Sequence, residues 1–401
     1  MTMDIITTLL IYTSILGFIL GYVVNKTNFC TMGAVSDLVN IGDSSRFKAW
    51  LLAITTAIVG VTLLEYMSIV DIDESRIPYR NSVFFWPRYI LGGIMFGIGM
   101  TLASGCGNKI LIRIGGGNIK SVFVLIIAGL MALLMTRTDF YGLLFHSWMN
   151  PISPDLAKLG ITDQSLHTML ASLTGIDSSN MIITLFLPAL ISIFLLKYIF
   201  SSYSKLSSDN ILSGFVVGLV VTLAWLISGG ELGQNWIENN DFLDTPYPSV
   251  GVQSFTFINP MGEFLIYSSS IFDSFYLTFG VTALISTVFG SFVYALVSNN
   301  LRIEWFANKH DFFRHLLGAV LIGIGGVLSL GCTIGQGVTG VSTLALGSII
   351  TLISIIFGAS LMMKIEYYRA VYEDSTFFEL VKNSLIDLKV LPEKIRTLEK
   401  I

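Results

Sequence analysis

The stretch RYILGGIMFGIGMTLASGCG, residues 88–107, aligns without a gap on RHLLGAVLIGIGGVLSLGCT, residues 314–333. Arg88 meets Arg314, Gly92 meets Gly318, Gly97 meets Gly323, Gly99 meets Gly325, and Gly105-Cys106 meets Gly331-Cys332. A second match sets GFILGYV (17–23) on GFVVGLV (214–220). Self-similarity at this distance indicates a duplicated unit. Both long segments are apolar over the ~20 residues that a membrane span requires. The repeat is therefore a repeat of spans.

Composition agrees. The chain has 401 residues, of which 53% are hydrophobic and only 12% charged, with mean hydropathy +0.74. A soluble domain carries about 25% charged residues. Nine spans are expected, at 5–24, 48–70, 84–103, 119–136, 181–200, 211–228, 271–298, 312–331 and 345–363. The N-terminus has no Lys or Arg before its apolar run and no small-residue cleavage site, so residues 5–24 read as a retained span. The net charge of -4 comes without a polybasic run or interleaved basic and aromatic residues, so nucleic acid is not an expected partner.

Basic residues in the connections orient the chain. Arg76, Arg80, Arg88, Arg137 and Lys158 share the side of the N-terminus, and the other 18 of the 23 Lys and Arg share the opposite side. The N-terminus is expected outside and the C-terminus in the cytoplasm, with 137–180 and 229–270 as outer segments. Four spans form the first copy, and one extra span, 181–200, precedes the second. The second copy must then start on the opposite side. The fold class predicted is an all-α polytopic membrane protein, about nine transmembrane helices plus re-entrant short helices, in two pseudo-symmetric inverted repeats. Its divisions are 1–136 (first repeat), 137–210 (outer segment and linking span), 211–363 (second repeat) and 364–401 (cytoplasmic tail). Inverted repeats place a substrate path at their interface.

Three polar breaks interrupt the spans, and each contains one of the three cysteines: Cys30 in NKTNFCTMGAVSDL (25–38), Cys106 in ASGCGNKILIRIGGGN (103–118) and Cys332 in SLGCTIGQGVTGVSTLALG (329–347). Of 37 glycines, 18 fall within 91–117 and 318–347, far more than loops of this length need. Those inside spans, such as Gly92, Gly97 and Gly99, read as close helix packing. Those flanking the cysteines read as re-entrant backbone, tolerated at membrane depth only where protein or a wet path satisfies it. Short helices starting there would present free N–H groups, which suit an anion. A thiol is a weak, polarizable donor and must stay protonated to face an anion. It suits a soft anion with a terminal sulfur better than sulfate or phosphate.

Other readings are weighed against this one. A cysteine is ordinarily a small apolar filler. Copper(I) would call for Met or Cys at short spacing, whereas the 14 methionines are scattered. A thiol relay needs a resolving partner, and no two cysteines are close in sequence. Glu65, Arg88 and Arg314 lie near span ends, where snorkelling is ordinary. Asp37 reads as a turn partner. His146, His167, His310 and His315 make no metal or catalytic spacing, and HExxH, Walker A and G-x-S-x-G are absent. No enzyme, cofactor or metal site is expected.

The segments NFCTMGAVSDL, SGCGNKILIRIGGGNIKS and LGCTIGQGVTGVSTLALGS resemble the signatures of the YeeE/YedE family of bacterial sulfur-compound transporters, in the same order, over about residues 10–363. The resemblance implies an hourglass-shaped helical fold in the inner membrane that imports thiosulfate. It also implies that Cys30, Cys106 and Cys332 contact the ion through S–H groups. Gly105, Gly107 and Asn108 of the second signature, and Gly331, Gly335, Gln336 and Gly337 of the third, are expected along the path. Other family members are linked to further sulfur or selenium compounds, which stand as the alternative substrates. A separate cytosolic sulfurtransferase is the implied protein partner, since the tail is short and lacks a CPxP motif. LAWLISGGELG (223–233) replaces the Cys30 segment in the second copy. The three cysteines are expected as separate stations, Cys332 met first from outside.

Overall fold

The computed structural model of the chain describes residues 2–175, 181–201 and 206–399. Those residues form helices, 3-10 and π turns and isolated bridges, with no strand. In the first copy, α1 (Thr2–Thr27), α3 (Ser45–Tyr66), α4 (Trp86–Leu102) and α6 (Ile119–Arg137) are long, and α2 (Thr31–Ser36) and α5 (Gly107–Gly115) are short. The connecting region holds α7 (Ser147–Met149), α8 (Leu166–Thr174) and α9 (Met181–Ser201). In the second copy, α10 (Ser208–Gly229), α13 (Phe279–Val297), α14 (Lys309–Leu328) and α15 (Leu346–Val371) are long. Between them lie α11 (Glu231–Asp241), α12 (Ile258–Ser269) and a π-helical turn, Gly335–Gly340. α16 (Phe377–Asp387) closes the chain. Among the described residues, nine helical stretches are long and apolar enough to cross a membrane, one at each expected place. The protein is an all-α, multi-pass membrane protein.

Side-chain caps fix where helices start. Asn118 Oδ1 accepts from the Ser121 N–H at 2.9 Å to open α6, and Asn308 Oδ1 accepts from the Asp311 N–H at 2.8 Å to open α14. Each satisfies an N–H that the helix cannot pair internally.

Glycine fixes how the helices meet. A Cβ on Gly92 would lie 2.6 Å from the Ser329 nitrogen and 2.9 Å from the Gly325 oxygen. One on Gly99 would lie 2.8 Å from both the Gly318 oxygen and the Ile322 nitrogen. The start of α4 thus touches the end of α14, and the reverse. The two duplicated helices run antiparallel in backbone contact, which is the relation expected of inverted copies. The other pairings are reciprocal: α1 packs on α13 and α10 on α3, while α4 packs on α15 and α14 on α6. Gly214 and Gly218 let α10 approach the Ala49 and Ala53 carbonyls of α3. Between apolar helices in lipid, such contact and its dispersion energy stand in for the hydrophobic effect.

Several expectations need correction. The segment 229–270 is not a plain outer loop. Residues 252–257 are all buried, α12 packs on α6 and α13, and Phe255 and Phe257 belong to the central core. Aromatic bulk and an extended stretch were missed there because the window is too short and too mixed for a span. The helix expected at 271–298 starts only at Phe279, where Thr278 caps it through the Val281 N–H. The last span, expected at 345–363, is a helix that runs on to Val371, and the tail follows it. It folds back, with Leu380 packed on Ile365 and Tyr368, and Arg396 paired with Asp387 at 2.6 Å. The flanks of the linking span, 176–180 and 202–205, lie outside the described residues.

Candidate functional site

The three cysteines share one backbone device. α1 ends in Asn28 (φ 53), α4 in Ser104 (φ 57) and α14 in Leu330 (φ 64), each left-handed. The following residue then bonds five residues back: Phe29 to the Val24 oxygen at 3.2 Å, Gly105 to Met100 at 2.8 Å, and Gly331 to Gly326 at 2.7 Å. This is the Schellman closure, which satisfies a helix's last carbonyls. One residue on comes the cysteine: Cys30 and Cys106 are the N-caps of α2 and α5, and Cys332 stands three residues before the π turn. Cys30 Sγ accepts from the Gly33 N–H at 3.5 Å and Cys332 Sγ from the Gly335 N–H at 3.4 Å. Cys106 caps α5 through its backbone only, with the Ile110 N–H on its carbonyl at 2.9 Å.

The folded chain brings the thiols together. The Cys30 and Cys106 side chains are close enough to interact, and the Thr333 side chain adjoins Cys106. A Cβ on Gly107 would stand 3.5 Å from Cys332 Cβ and 3.7 Å from Phe257 Cβ. All three cysteines are free and buried. Their separation along the chain suggested spaced stations without a close pair. The structure instead brings the Cys30 and Cys106 side chains together and sets Cys332 beside Gly107, because the antiparallel α4 and α14 deliver their closing turns from opposite ends. Cys30 and Cys106, 76 positions apart, are neighbours.

The other residues singled out from the sequence gather here. Gly335 stands against Thr256, and Gly337 lies where a Cβ would meet the Trp50 ring, 2.5 Å from its nearest atom. Gly331 faces Gln336 Cγ at 3.2 Å, and Gly105 faces the Lys109 stem at 3.3 Å. Neither Gly105 nor Gly331 has a positive φ, so they give room rather than the turn itself. Gln336 donates through Nε2 to the Ser329 carbonyl at 2.8 Å. Trp50 Nε1, Asn108 Oδ1 and Gln336 Oε1 are buried without a hydrogen-bond partner among the described residues. Unpaired buried polar atoms are rare and costly, and these suit a polar ligand or water. Trp50, Thr333, Phe257 and Tyr79 were not foreseen. Thr333 lies inside the quoted GCT motif and was legible; the others lie on distant segments.

Cations touch all three breaks. Lys109 Nζ donates to Asn28 Oδ1 at 3.3 Å, tying the Cys106 break to the Cys30 break. Arg46 pairs with Asp37 at 3.0 Å beside α2, which gives Asp37 the turn-partner role expected of it. In the third break Tyr79 donates to the Gly335 carbonyl at 2.8 Å and packs edge-on against Trp225. Arg80 is buried against Glu65 (2.6 and 3.0 Å) and the Thr343 carbonyl (3.0 Å). Burial, and then Arg80, hold the neighbouring His167 down to about 4 against the opposing pull of Asp163, so it is neutral near pH 7. Among the described residues no cluster of His, Cys, Asp and Glu could hold a metal ion.

Comparison with known proteins agrees in kind. The chain is 26% identical over 331 residues to the thiosulfate transporter TsuA of Escherichia coli (strain K12), covering 80% of this chain and 85% of that one. It is 24% identical over 358 residues to the thiosulfate transporter TsuA of Spirochaeta thermophila, covering 87% and 97%. The family model described as sulphur transport matches residues 26–361, which include all three cysteine turns, so the chain belongs to the sulphur transport family.

Proposed function

We propose that this chain imports thiosulfate across the inner membrane, along a path through Cys30, Cys106 and Cys332. The observation that carries the reading is the set of three closing turns, each delivering a buried thiol, with unpaired buried polar groups in the Cys106 and Cys332 breaks. The thiols act as protonated S–H donors to the terminal sulfur, and the short segments behind them add backbone N–H groups. Gly105, Gly107, Asn108, Gly331, Gly335, Gln336 and Gly337 form the walls. The divisions 1–136, 137–210, 211–363 and 364–401 describe the working parts, with the N-terminus outside and the tail in the cytoplasm. A dianion entering a negative interior meets about 4.6 kcal/mol per 100 mV. Consumption inside by a cytosolic sulfurtransferase would offset that.

Uptake of labelled thiosulfate into cells lacking other importers tests the reading. Unlabelled thiosulfate should compete far better than sulfate; equal competition would show that the thiols do not read the sulfur. A phosphatase fused to the C-terminus should be inactive, and an active fusion would reverse the orientation. The contact between Cys30 and Cys106 supports a second reading, a thiol relay, because it supplies the resolving partner that the sequence lacked. Cys30→Ser separates the two, since its hydroxyl still donates a hydrogen bond and should keep part of the uptake, whereas it cannot form the mixed disulfide that a relay needs.

A further inference from the structure

The start of α4, the ends of α6 and α14 and the first turn of α12 enclose a cavity of about 270 Å³. Arg76, Arg88, Thr136, Tyr141, Asn259 and Leu330 line it. A smaller cavity of about 200 Å³ shares Arg76, Thr136 and Asn259 and adds Arg137 and Glu263. Leu330 is two residues from Cys332, and Asn259 is two residues from Phe257, which packs beside Gly107. The space therefore lies next to the Cys332 turn, on the side to which the charge split assigns the exterior.

Its charges are not equally spent. Arg76 is committed to Glu263 at 2.8 Å and to the Ser249 hydroxyl at 2.6 Å. Arg137 is exposed, at the rim. Arg88 has no carboxylate partner among the described residues. Its Nε donates to the Leu328 carbonyl at 3.1 Å, and its guanidinium lies over the rings of Tyr141 (4.9 Å) and Phe85 (5.5 Å). Snorkelling, expected from the sequence, would carry the head to water; this head is instead turned onto Tyr141, at the cavity. Its duplicate, Arg314, pairs with Glu366. The repeat has thus kept both arginines and neutralised one. A half-buried guanidinium without a counter-ion keeps most of its donors and its attraction for an anion. The Asn259 amide oxygen is also buried without a partner, and a turn of that amide would present its N–H₂ instead.

We propose that this cavity is a capture site for a small dianion, held by Arg88 before it passes to Cys332. The proposal rests on the import reading above and adds a site to it. Thereafter the field is directional: an open cation stands at one end of α4, while the equivalent cation on α14 is closed by its own acid.

The test is labelled thiosulfate uptake by the purified full chain in liposomes, for the parent, Arg88→Gln, Arg88→Lys, Asn259→Asp and Arg302→Gln. Arg88→Gln should raise KM at least about tenfold, the cost of one charge-assisted contact, and lower the maximal rate less. Arg88→Lys should fall between, because it keeps charge but not the fork. Asn259→Asp changes almost no volume and sets a carboxylate in the same cavity, so it should mimic Arg88→Gln even if the latter inserts poorly. Added salt should weaken the parent more than Arg88→Gln. Arg302→Gln, far from the cavity lining, should match the parent. Parental KM in both Arg88→Gln and Asn259→Asp would overturn the capture site alone. A parent that takes up no thiosulfate would overturn the import reading, and this proposal with it.

Discussion

The two Gly-Cys breaks begin alike and then diverge. Up to the cysteine, α4 and α14 match bond for bond: Ala103 and Ser329 each bond four residues back at 2.9 Å, and Gly105 and Gly331 bond five back at 2.8 and 2.7 Å. Beyond it, the first copy runs into a nine-residue α-helix, Gly107–Gly115, with Lys109 reaching Asn28. The second makes a six-residue π turn, Gly335–Gly340, buried throughout and locked by Tyr79, Gln336 and Thr339. A π turn is a strained, uncommon element that collects at functional sites. The duplicated residues build the crossing of α4 and α14. The unmatched ones set what each break does. The same holds for Arg88 and Arg314, and for Cys30 against Gly230, which N-caps α11 without a preceding left-handed residue.

The sharpest way to break this comparison is to alter the thiols. Cys106→Ala and Cys332→Ala should each abolish growth on thiosulfate as sole sulfur source at normal membrane expression. On the proposed path each leaves a gap and removes a donor. Cys→Ser should rescue poorly at these two, because a shorter, harder donor pairs less well with sulfur. Cys30, whose counterpart in the second copy is not a cysteine, should tolerate Ser in part. Parental growth of both Ala variants would make these thiols packing residues.

The shared part of the comparison is tested through stability. Gly99→Ala and Gly318→Ala place a methyl 2.8 Å or less from backbone of the facing helix. Overpacking of this kind costs about 1–3 kcal/mol. Both should lower the melting temperature of the detergent-solubilised chain, and by similar amounts, since the two positions face each other. Gly93→Ala, against Ser354 Cβ at 2.6 Å and the Thr351 oxygen at 2.9 Å, should behave likewise across α4 and α15. A melting temperature unchanged in all three would mean that the crossing is looser than the contacts require.

The spans, the duplication and the antiparallel copies were legible because each rests on a local or periodic signal: twenty apolar residues, aligned glycines and a count of crossings. The cluster of thiols was not legible. Three cysteines in three breaks carry no distance information, and only the crossing of α4 with α14 brings the turns to one place. The turn residues were hidden for another reason. Attention went to Gly105 and Gly331, but the left-handed residue precedes each, and one of these is Leu330, a residue type that seldom adopts that region. The free charge of Arg88 was equally hidden. Arg88 and Arg314 read alike in sequence, and what separates them is Glu366, 52 residues beyond Arg314 and with no match beside Arg88.

The smallest effect concerns those left-handed residues, and it compares all three turns. A non-glycine residue in this region costs roughly 1–2 kcal/mol, and Asn pays least because its side chain bonds locally. Replacing the residue with Gly removes that cost but adds about 0.5–1 kcal/mol of chain entropy to be lost on folding. Ser104→Gly should therefore stabilise the chain by about 0.5 kcal/mol, at the edge of what a thermal shift resolves. Asn28→Gly should be neutral or slightly harmful, because it also loses the Lys109 contact at 3.3 Å. Leu330→Gly relieves the most strain, yet it deletes a side chain that lines the cavity beside Arg88, so its gain should be cancelled. The expected order of melting temperatures is Ser104→Gly above the parent, with Leu330→Gly and Asn28→Gly at or below it. A fall in melting temperature for Ser104→Gly would show that its hydroxyl, rather than its backbone, holds the first closing turn, and that the three turns are alike in geometry but not in what stabilises them.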